Sequence, residues 1–198
     1  GMTELELQAE LIYCLYKNGA TGLAFDPIVV SGPNTSLPHG VAGERVIQEG
    51  DFVTMDFGVL YHGYCSDMTR AFFFRKVADP KHKEIYDTVC KAVAAAEALC
   101  KPGVPLCQID KAARDVITEA GYGEYFGRGT GPGVGVEIHE YPNLSPASDS
   151  ILQVGNIVTV EPGIYIPEKF GVRIEDMALI TDDGYENLTL SEKKLIIL

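Results

Sequence analysis

Two nine-residue segments, GDFVTMDFG at 50–58 and GNIVTVEPG at 155–163, match each other at an offset of 105 residues and decide the fold. Self-similarity at a fixed spacing is the signature of an internal repeat. Each segment opens a predicted pair of strands. The first pair is DFVTMDFGVLYHGYCSDMTRAFFF, and the second is NIVTVEPGIYI with GVRIEDMALIT. The chain is therefore predicted to contain two halves built on one plan.

The repeat extends to the helices that precede these strands. GMTELEL at 1–7 matches GVPLCQI at 103–109, at an offset of 102 residues. The helix predicted after each match ends at a glycine, Gly19 or Gly121, as helices commonly do. Thr3 is the predicted N-cap of the first helix. An apolar stripe along that helix is supplied by Leu5, Leu7, Leu11, Ile12 and Leu15.

A chain of 198 residues is long enough for one domain with a core, and we expect residues 1–198 to form it. Its halves are predicted to be about 1–80 and 81–198. A helix predicted over 81–101 has no counterpart in the first half, so the first helix of that half is expected to be missing. An apolar face left open there would need a cover, which a homodimer could supply.

Composition excludes several classes of protein. A net charge of -12 argues against a nucleic-acid partner, which would require a basic face. No apolar run approaches the roughly 20 residues of a membrane span, so no membrane partner is expected. The polar, acidic start does not resemble a signal peptide, and the five cysteines lack a CxxC spacing. These features predict a reduced, cytoplasmic location.

The repeat also pairs the residues that could carry chemistry. It pairs Asp56 with Glu161, Asp67 with Glu175, and His39 with His139. If the halves face each other, four carboxylates converge in an apolar cleft, where like charges raise each other's pKa. Two divalent cations bridged by carboxylates would satisfy such a site and could activate a water for hydrolysis. One acidic residue in a hairpin strand is ordinary, and only the symmetric set of four carries this inference.

Other candidate motifs are weaker. His62 and His82 are interpreted as structural residues, and Cys65 is a weak candidate for any role. The run RGTGPGVG, 128–135, resembles a phosphate loop but lacks the Lys-Ser/Thr of a P-loop.

With these motifs, the sequence resembles the pita-bread metallopeptidases: methionine aminopeptidase, aminopeptidase P, prolidase and creatinase. The motifs are IVVSGPNTSLPH, GVEIHEYPNL, VTVEPGIYIP and GVRIEDMALIT, and the resemblance covers nearly the whole chain. Their form is nearest to the Xaa-Pro peptidase branch, which usually carries a separate N-terminal domain. The resemblance implies an α+β pita-bread fold: a curved, mostly antiparallel, six-stranded sheet in two pseudo-twofold halves, with helices on one face.

The resemblance also implies a role for each site residue. Asp56, Asp67, Glu161 and Glu175 would be the metal ligands, with Asp67 and Glu175 bridging. His39 would line the substrate pocket, and His139 would stabilise the developing oxyanion or the leaving group. Arg173 would contact either the ligands from behind or the carboxylate of the substrate. Manganese suits such an oxygen-rich site, and cobalt, zinc or iron would also fit.

Two histidines of the family pattern are replaced in this sequence. The common form is GHGTGHGxGLxxHE, whereas residues 127–140 read GRGTGPGVGVEIHE. Pro132 thus replaces the metal-binding histidine, and Arg128 replaces another histidine. Proline has no side-chain donor atom, so one of two metals would lose its nitrogen ligand.

Three functional hypotheses remain open. The first is hydrolysis of the N-terminal bond of short Xaa-Pro peptides, impaired and with one metal. The second is a catalytically dead domain that binds peptides or protein partners. The third is a metal-free, creatinase-like hydrolase with His139 as its acid and base. Retention of four carboxylates speaks against the third and mildly favours the first. Arg128 could offset part of the charge that a missing cation leaves.

Overall fold

The computed structural model describes residues 1–127 and 129–198, so the hypothesis about Arg128 lies outside the described residues. The three predicted helices are present. They are α1 (Glu4–Lys17), α2 (Pro80–Glu97) and α3 (Leu106–Glu119), and short 3₁₀ helices cover Gly32–Ser36 and Gly123–Tyr125.

Helix α1 begins as predicted, and the face that carries the predicted stripe is the face that it partly buries. Thr3 caps it: the Thr3 hydroxyl accepts from the Glu6 amide at 3.1 Å, and the Glu6 carboxylate accepts from the Thr3 amide at 2.8 Å. The predicted apolar stripe is only partly covered, and Leu5 remains 44% exposed. The fully buried residue of α1 is Glu4, whose carboxylate accepts from the amide and hydroxyl of Ser31 at 2.7 and 2.8 Å. Hydrogen bonds, rather than the stripe, therefore fix the start of this helix.

The strands are shorter and more numerous than the six expected. They are β1 (Gly22–Leu23), β2 (Ile28–Ser31), β3 (Phe52–Phe57), β4 (Val59–Tyr61), β5 (Tyr64–Cys65), β6 (Met68–Phe73), β7 (Gly131–Gly133), β8 (Glu140–Leu144), β9 (Ile157–Val160), β10 (Gly163–Ile166), β11 (Phe170–Arg173), β12 (Asp176–Ile180), β13 (Tyr185–Asn187) and β14 (Ile196–Ile197). They form sheets ordered β14-β6-β3-β2, β13-β12-β9-β7-β8, β1-β4-β5 and β10-β11. All pairs are antiparallel except β14 with β6.

The long hairpin of the first half is broken where the chain passes close to itself. A Cβ at Gly58 would lie 1.9 Å from the Ser66 carbonyl oxygen, so only glycine fits between β3 and β4. A similar close approach occurs in the glycine-rich segment. There β7 pairs with β8, although no strands were predicted in that segment. A Cβ at Gly133 would lie 2.7 Å from the Glu140 carbonyl oxygen. The bend at Gly58 divides the first long hairpin into the short strands β3 to β6.

Hydrogen bonds repeat at the spacing found in the sequence. At the start of α1, the Glu4 amide donates to the Arg45 carbonyl at 3.0 Å; at the start of α3, the Leu106 amide donates to the Ser150 carbonyl at 3.0 Å. The two donors are 102 residues apart and the two acceptors 105, the offsets of the sequence repeat. The same helix-to-strand junction is therefore built twice.

The turns before β3 and β9 match as well. Gly50 and Gly155 both adopt a left-handed conformation, with φ of 89° and 86°. The Gln48 amide donates to a side-chain oxygen of Asp51 at 2.7 Å. In the same way, the Gln153 amide donates to the side-chain oxygen of Asn156 at 2.9 Å.

The core lies between the strands and helices α2 and α3. Its largest fully buried side chains include Phe52, Phe73, Tyr86, Leu106, Ile109, Ile117, Leu144 and Ile164. The two main sheets meet where the Glu175 amide donates to the Thr69 carbonyl at 3.3 Å. This junction, which we call the seam, brings residues of both halves to one cleft on the side away from α2 and α3.

Candidate metal centre

The four predicted carboxylates lie at equivalent places in the two halves. Asp56 belongs to β3 and Asp67 immediately precedes β6, while Glu161 immediately follows β9 and Glu175 immediately precedes β12. All four line one open cleft of about 1180 Å³. The repeat in the sequence thus corresponds to convergence in space.

Three of the four form a tight cluster. One carboxylate oxygen from each of Asp56, Asp67 and Glu175 lies within 4.8 Å of the others, and all three residues are buried. Each also has a buried oxygen without a hydrogen-bond partner, namely Asp56 Oδ1, Asp67 Oδ1 and Glu175 Oε1. Buried polar atoms are normally paired, so these three oxygens indicate a place for a cation. Oxygen-only donors suit a hard or borderline divalent ion.

Burial disfavours negative charge on the carboxylates of the cluster. Burial raises the pKa of Asp67 to about 8, and the charges of Asp56 and Glu161 add to the effect. Burial also raises the pKa of Glu175, again with help from Glu161 and Asp67. The pKa of Asp56 is raised by burial, although the Arg173 guanidinium opposes the rise. A divalent cation would remove this penalty by neutralising the carboxylates.

Glu161 lies beside the cluster rather than in it. Its Oε1 is 3.0 Å from the Thr159 hydroxyl, and its side chain is 24% exposed. Burial raises the pKa of Glu161 to about 7, while Arg173 works against the rise. Pro132, in β7, lines the same cleft, and its carbonyl oxygen is 3.3 Å from the Thr159 hydroxyl. The Pro132 ring offers no donor atom. A cation bound at Glu161 would therefore receive no nitrogen ligand from residue 132.

Arg173 is held tightly behind the cluster. Its guanidinium donates to Asp56 Oδ2 at 2.5 Å, to the Thr69 hydroxyl at 3.0 Å, to the Tyr165 hydroxyl at 2.7 Å and to the Pro38 carbonyl at 3.0 Å. These four bonds engage most of its five N–H groups, and the side chain is 6% exposed. Of its two predicted roles, this geometry favours the contact to the ligands over a contact to the substrate carboxylate.

The two predicted histidines line the cleft and are exposed to solvent. His39 directly follows Pro38, whose carbonyl Arg173 holds, and His139 directly precedes β8. Exposed imidazoles facing a cleft can reach a ligand there and donate a hydrogen bond to it. His82 instead stacks on Phe170 with ring centroids 3.8 Å apart, as expected of a structural residue.

Sequence reasoning missed Thr69 and Tyr165. The Thr69 hydroxyl donates to Glu175 Oε2 at 2.6 Å, and the Tyr165 hydroxyl meets Arg173. Thr69 stands two residues after Asp67, and alternation along a strand would have placed both side chains on one face. No comparable signal marked Tyr165.

Over the described residues, no helix is both long and apolar enough to cross a membrane.

Comparison with known proteins shows which family the chain matches. The model of metallopeptidase family M24 matches residues 1–182. The "Uncharacterized peptidase YqhT" of Bacillus subtilis (strain 168) is 50% identical over 198 residues, which is 100% of this chain and 56% of that protein. The "Xaa-Pro dipeptidase" of Pyrococcus horikoshii is 46% identical, over 99% of this chain and 56% of the relative. The chain thus spans little more than half the length of these relatives.

Solved structures confirm the predicted α+β pita-bread fold. A structure described as "Xaa-Pro dipeptidase from Bacillus anthracis" superposes with a TM-score of 0.97 at 52% identity, covering 100% of this chain and 56% of that one. An X-Pro aminopeptidase from Thermotoga maritima MSB8 gives a TM-score of 0.97 at 42% identity, with the same coverage of both chains.

Proposed function

Because the chain belongs to metallopeptidase family M24, we propose that it is a metal-dependent peptidase domain. Its reaction is hydrolysis of the N-terminal peptide bond of short peptides, and its substrates are of the Xaa-Pro type. Relatives and structural neighbours named as Xaa-Pro dipeptidases and X-Pro aminopeptidases support the substrate class. The observation that carries the proposal is the set of three buried, unpartnered carboxylate oxygens facing one cleft.

The residues present fit one divalent cation. Asp56, Asp67 and Glu175 would hold it, and their oxygen donors suit manganese first, with cobalt, zinc and iron as alternatives. A cation there supplies Lewis acidity and a nucleophile at neutral pH. A second cation beside Glu161 is less well provided for, because Pro132 contributes no ligand atom. The proposal is therefore a site with one well-formed cation position.

Side chains around the cluster bind and orient the peptide. His139 would donate a hydrogen bond to the oxygen that gains negative charge, or to the leaving nitrogen. His39 would hydrogen-bond near the scissile amide. Arg173 holds Asp56 in place through the 2.5 Å bond to Oδ2, which leaves Oδ1 free for the cation.

A specific observation favours a second candidate, a peptide-binding domain without catalysis. Pro132 stands in the cleft where the family pattern has histidine, so a site that has lost hydrolysis could still hold a peptide in the same cleft. A metal-free hydrolase remains the third hypothesis, and the buried carboxylates argue against it because they would stay uncompensated.

The test combines metal content with hydrolysis. The protein is equilibrated with Mn²⁺, desalted and analysed by mass spectrometry for bound metal, and Xaa-Pro peptides are assayed in parallel. About one equivalent of metal, lost with EDTA and absent from Asp67→Asn, is expected, together with slow hydrolysis that EDTA abolishes.

The variant Pro132→His separates the candidates. The peptidase hypothesis predicts that it raises both metal content and hydrolysis. A gain of metal without hydrolysis points to the binding domain, and hydrolysis that resists EDTA points to the metal-free enzyme. A wild-type protein with neither metal nor hydrolysis refutes the proposed function.

A further inference from the structure

Behind the carboxylate cluster, on the opposite face of the seam, lies a second group of polar side chains, most of them charged, that the proposed reaction does not use. We call it the buried network, and it consists of Arg70, Glu97, Asp176, Asn187 and Lys193. Side-chain exposure is 10% for Arg70, 7% for Glu97, 1% for Asp176 and 31% for Lys193. Buried charges persist when they are paired, and here two cations meet two anions.

Asp176 is the centre of the network. Its Oδ1 accepts from Arg70 at 2.6 Å, and its Oδ2 accepts from Lys193 at 2.5 Å and from Asn187 at 2.6 Å. Lys193 also donates to both oxygens of Glu97, at 2.9 and 3.0 Å. Every formal charge in the network therefore has a partner of opposite sign.

The buried network and the carboxylate cluster are joined through two pairs of residues that are adjacent in sequence. Successive side chains of a strand point to opposite faces, so Thr69 and Arg70 face opposite ways, as do Glu175 and Asp176. On the cleft side the Thr69 hydroxyl meets Glu175 at 2.6 Å, and on the far side Arg70 meets Asp176 at 2.6 Å. The seam is thus bonded on both faces at the same point.

Arg70 also holds the backbone of the seam. Its Nη1 donates to the Glu175 carbonyl at 2.6 Å and to the Thr69 carbonyl at 3.0 Å. Its Nη2 donates to the Ser191 carbonyl at 2.7 Å, and the Tyr86 hydroxyl donates to the Lys193 carbonyl at 3.0 Å. The segment 187–193, which lines no part of the cleft, is in this way tied to the backbone of a candidate metal ligand.

We infer that the buried network, anchored by segment 187–193, positions Glu175 for cation binding, so that Asp176 and Lys193 are positioning residues of the metal site. The inference rests on the proposed function, because it requires that Glu175 hold a cation. Residues that orient metal ligands from behind typically change metal affinity by about 10–100-fold when they are altered.

The test measures Mn²⁺ affinity and not hydrolysis. Free Mn²⁺ is followed by electron paramagnetic resonance while wild type, Lys193→Met and Asp176→Asn are titrated, and circular dichroism checks that each is folded. Controls with the same chemical change are Lys83→Met and Asp87→Asn, which remove an exposed ion pair on α2. Affinity is expected to fall about 10-fold or more in Lys193→Met and Asp176→Asn, to be largely restored in Lys193→Arg, and to be unchanged in both controls.

A purely structural network would give a different result. The two variants would then melt at lower temperature in EDTA, yet would bind Mn²⁺ as wild type does while folded, and the inference would be overturned. If Asp176→Asn does not fold, the partly exposed Lys193→Met and the milder Asn187→Ala carry the test. Failure of these two to fold also overturns it. A wild-type protein that does not bind Mn²⁺ refutes the proposed function before any variant is compared.

Discussion

Removal of the Arg173 guanidinium should destabilise the metal-free protein strongly. The ion pair of Arg173 with Asp56 is 2.5 Å long, and the two side chains are 6% and 11% exposed. Removing one partner of a buried ion pair typically lowers the free energy of unfolding by about 3–5 kcal/mol, because the remaining charge is left without compensation. For a chain of this size each kcal/mol lowers the melting temperature by about 2–4 °C, so Arg173→Met should melt about 6–20 °C lower than wild type.

The matched control is Arg75→Met. Arg75 pairs with Glu49 at 3.6 Å, but these side chains are 65% and 48% exposed. Water and salt screen an exposed pair, so it contributes little to stability and this variant should melt close to wild type. Both are measured by circular dichroism in EDTA, so that no cation replaces the lost charge. Similar melting temperatures for the two variants would refute the reasoning, since they would show that Arg173 compensates no buried charge.

Three other substitutions or labelling experiments test single contacts. Thr69→Val removes the hydroxyl that donates to a buried carboxylate at 2.6 Å, so it should lower the free energy of unfolding by about 1–3 kcal/mol, measured by urea denaturation. No loss of stability would mean that this hydrogen bond contributes nothing. Gly171→Ala would place a Cβ 2.0 Å from a backbone oxygen, so it should lower the free energy of unfolding by about 1–3 kcal/mol or prevent folding. Its control is Gly184→Ala, whose Cβ would meet nothing within 4 Å and which should be near neutral. Equal stabilities of the two variants would contradict the packing argument. Burial raises the pKa of the Cys100 thiol to about 12, so at pH 8 iodoacetamide should modify the exposed Cys14 and spare Cys100, as peptide mass spectrometry would show; equally fast labelling would contradict this.

Parts of the fold that depend on local or repeated pattern could be predicted from the sequence. The Thr3 cap needs only residues three apart, and the repeat offset led to the four carboxylates, three of which form the cluster. The repeat worked because two halves with the same plan place equivalent residues at equivalent points. No geometry had to be known to pair Asp56 with Glu161.

Contacts between residues distant in sequence were not predictable in the same way. Glu4 looks like a solvent-facing residue of an amphipathic helix, and its burial depends on donors near residues 31–43. Strand β7 is hidden because its sequence, Gly-Pro-Gly, lacks the side-chain pattern that marks a strand, and β8 is hidden because Pro142 interrupts it. Arg70 and Asp176 each look like ordinary charges in a strand until the seam places them together.

The seam has a mechanical consequence. Two carboxylates come from each half, so the point at which the halves are joined is also the point at which they repel most strongly. A cation held there would neutralise that repulsion and tie the two halves to each other at one point. Hydrogen exchange at the Glu175 amide, whose bond to Thr69 crosses the joint, would then report occupancy of the site without any substrate.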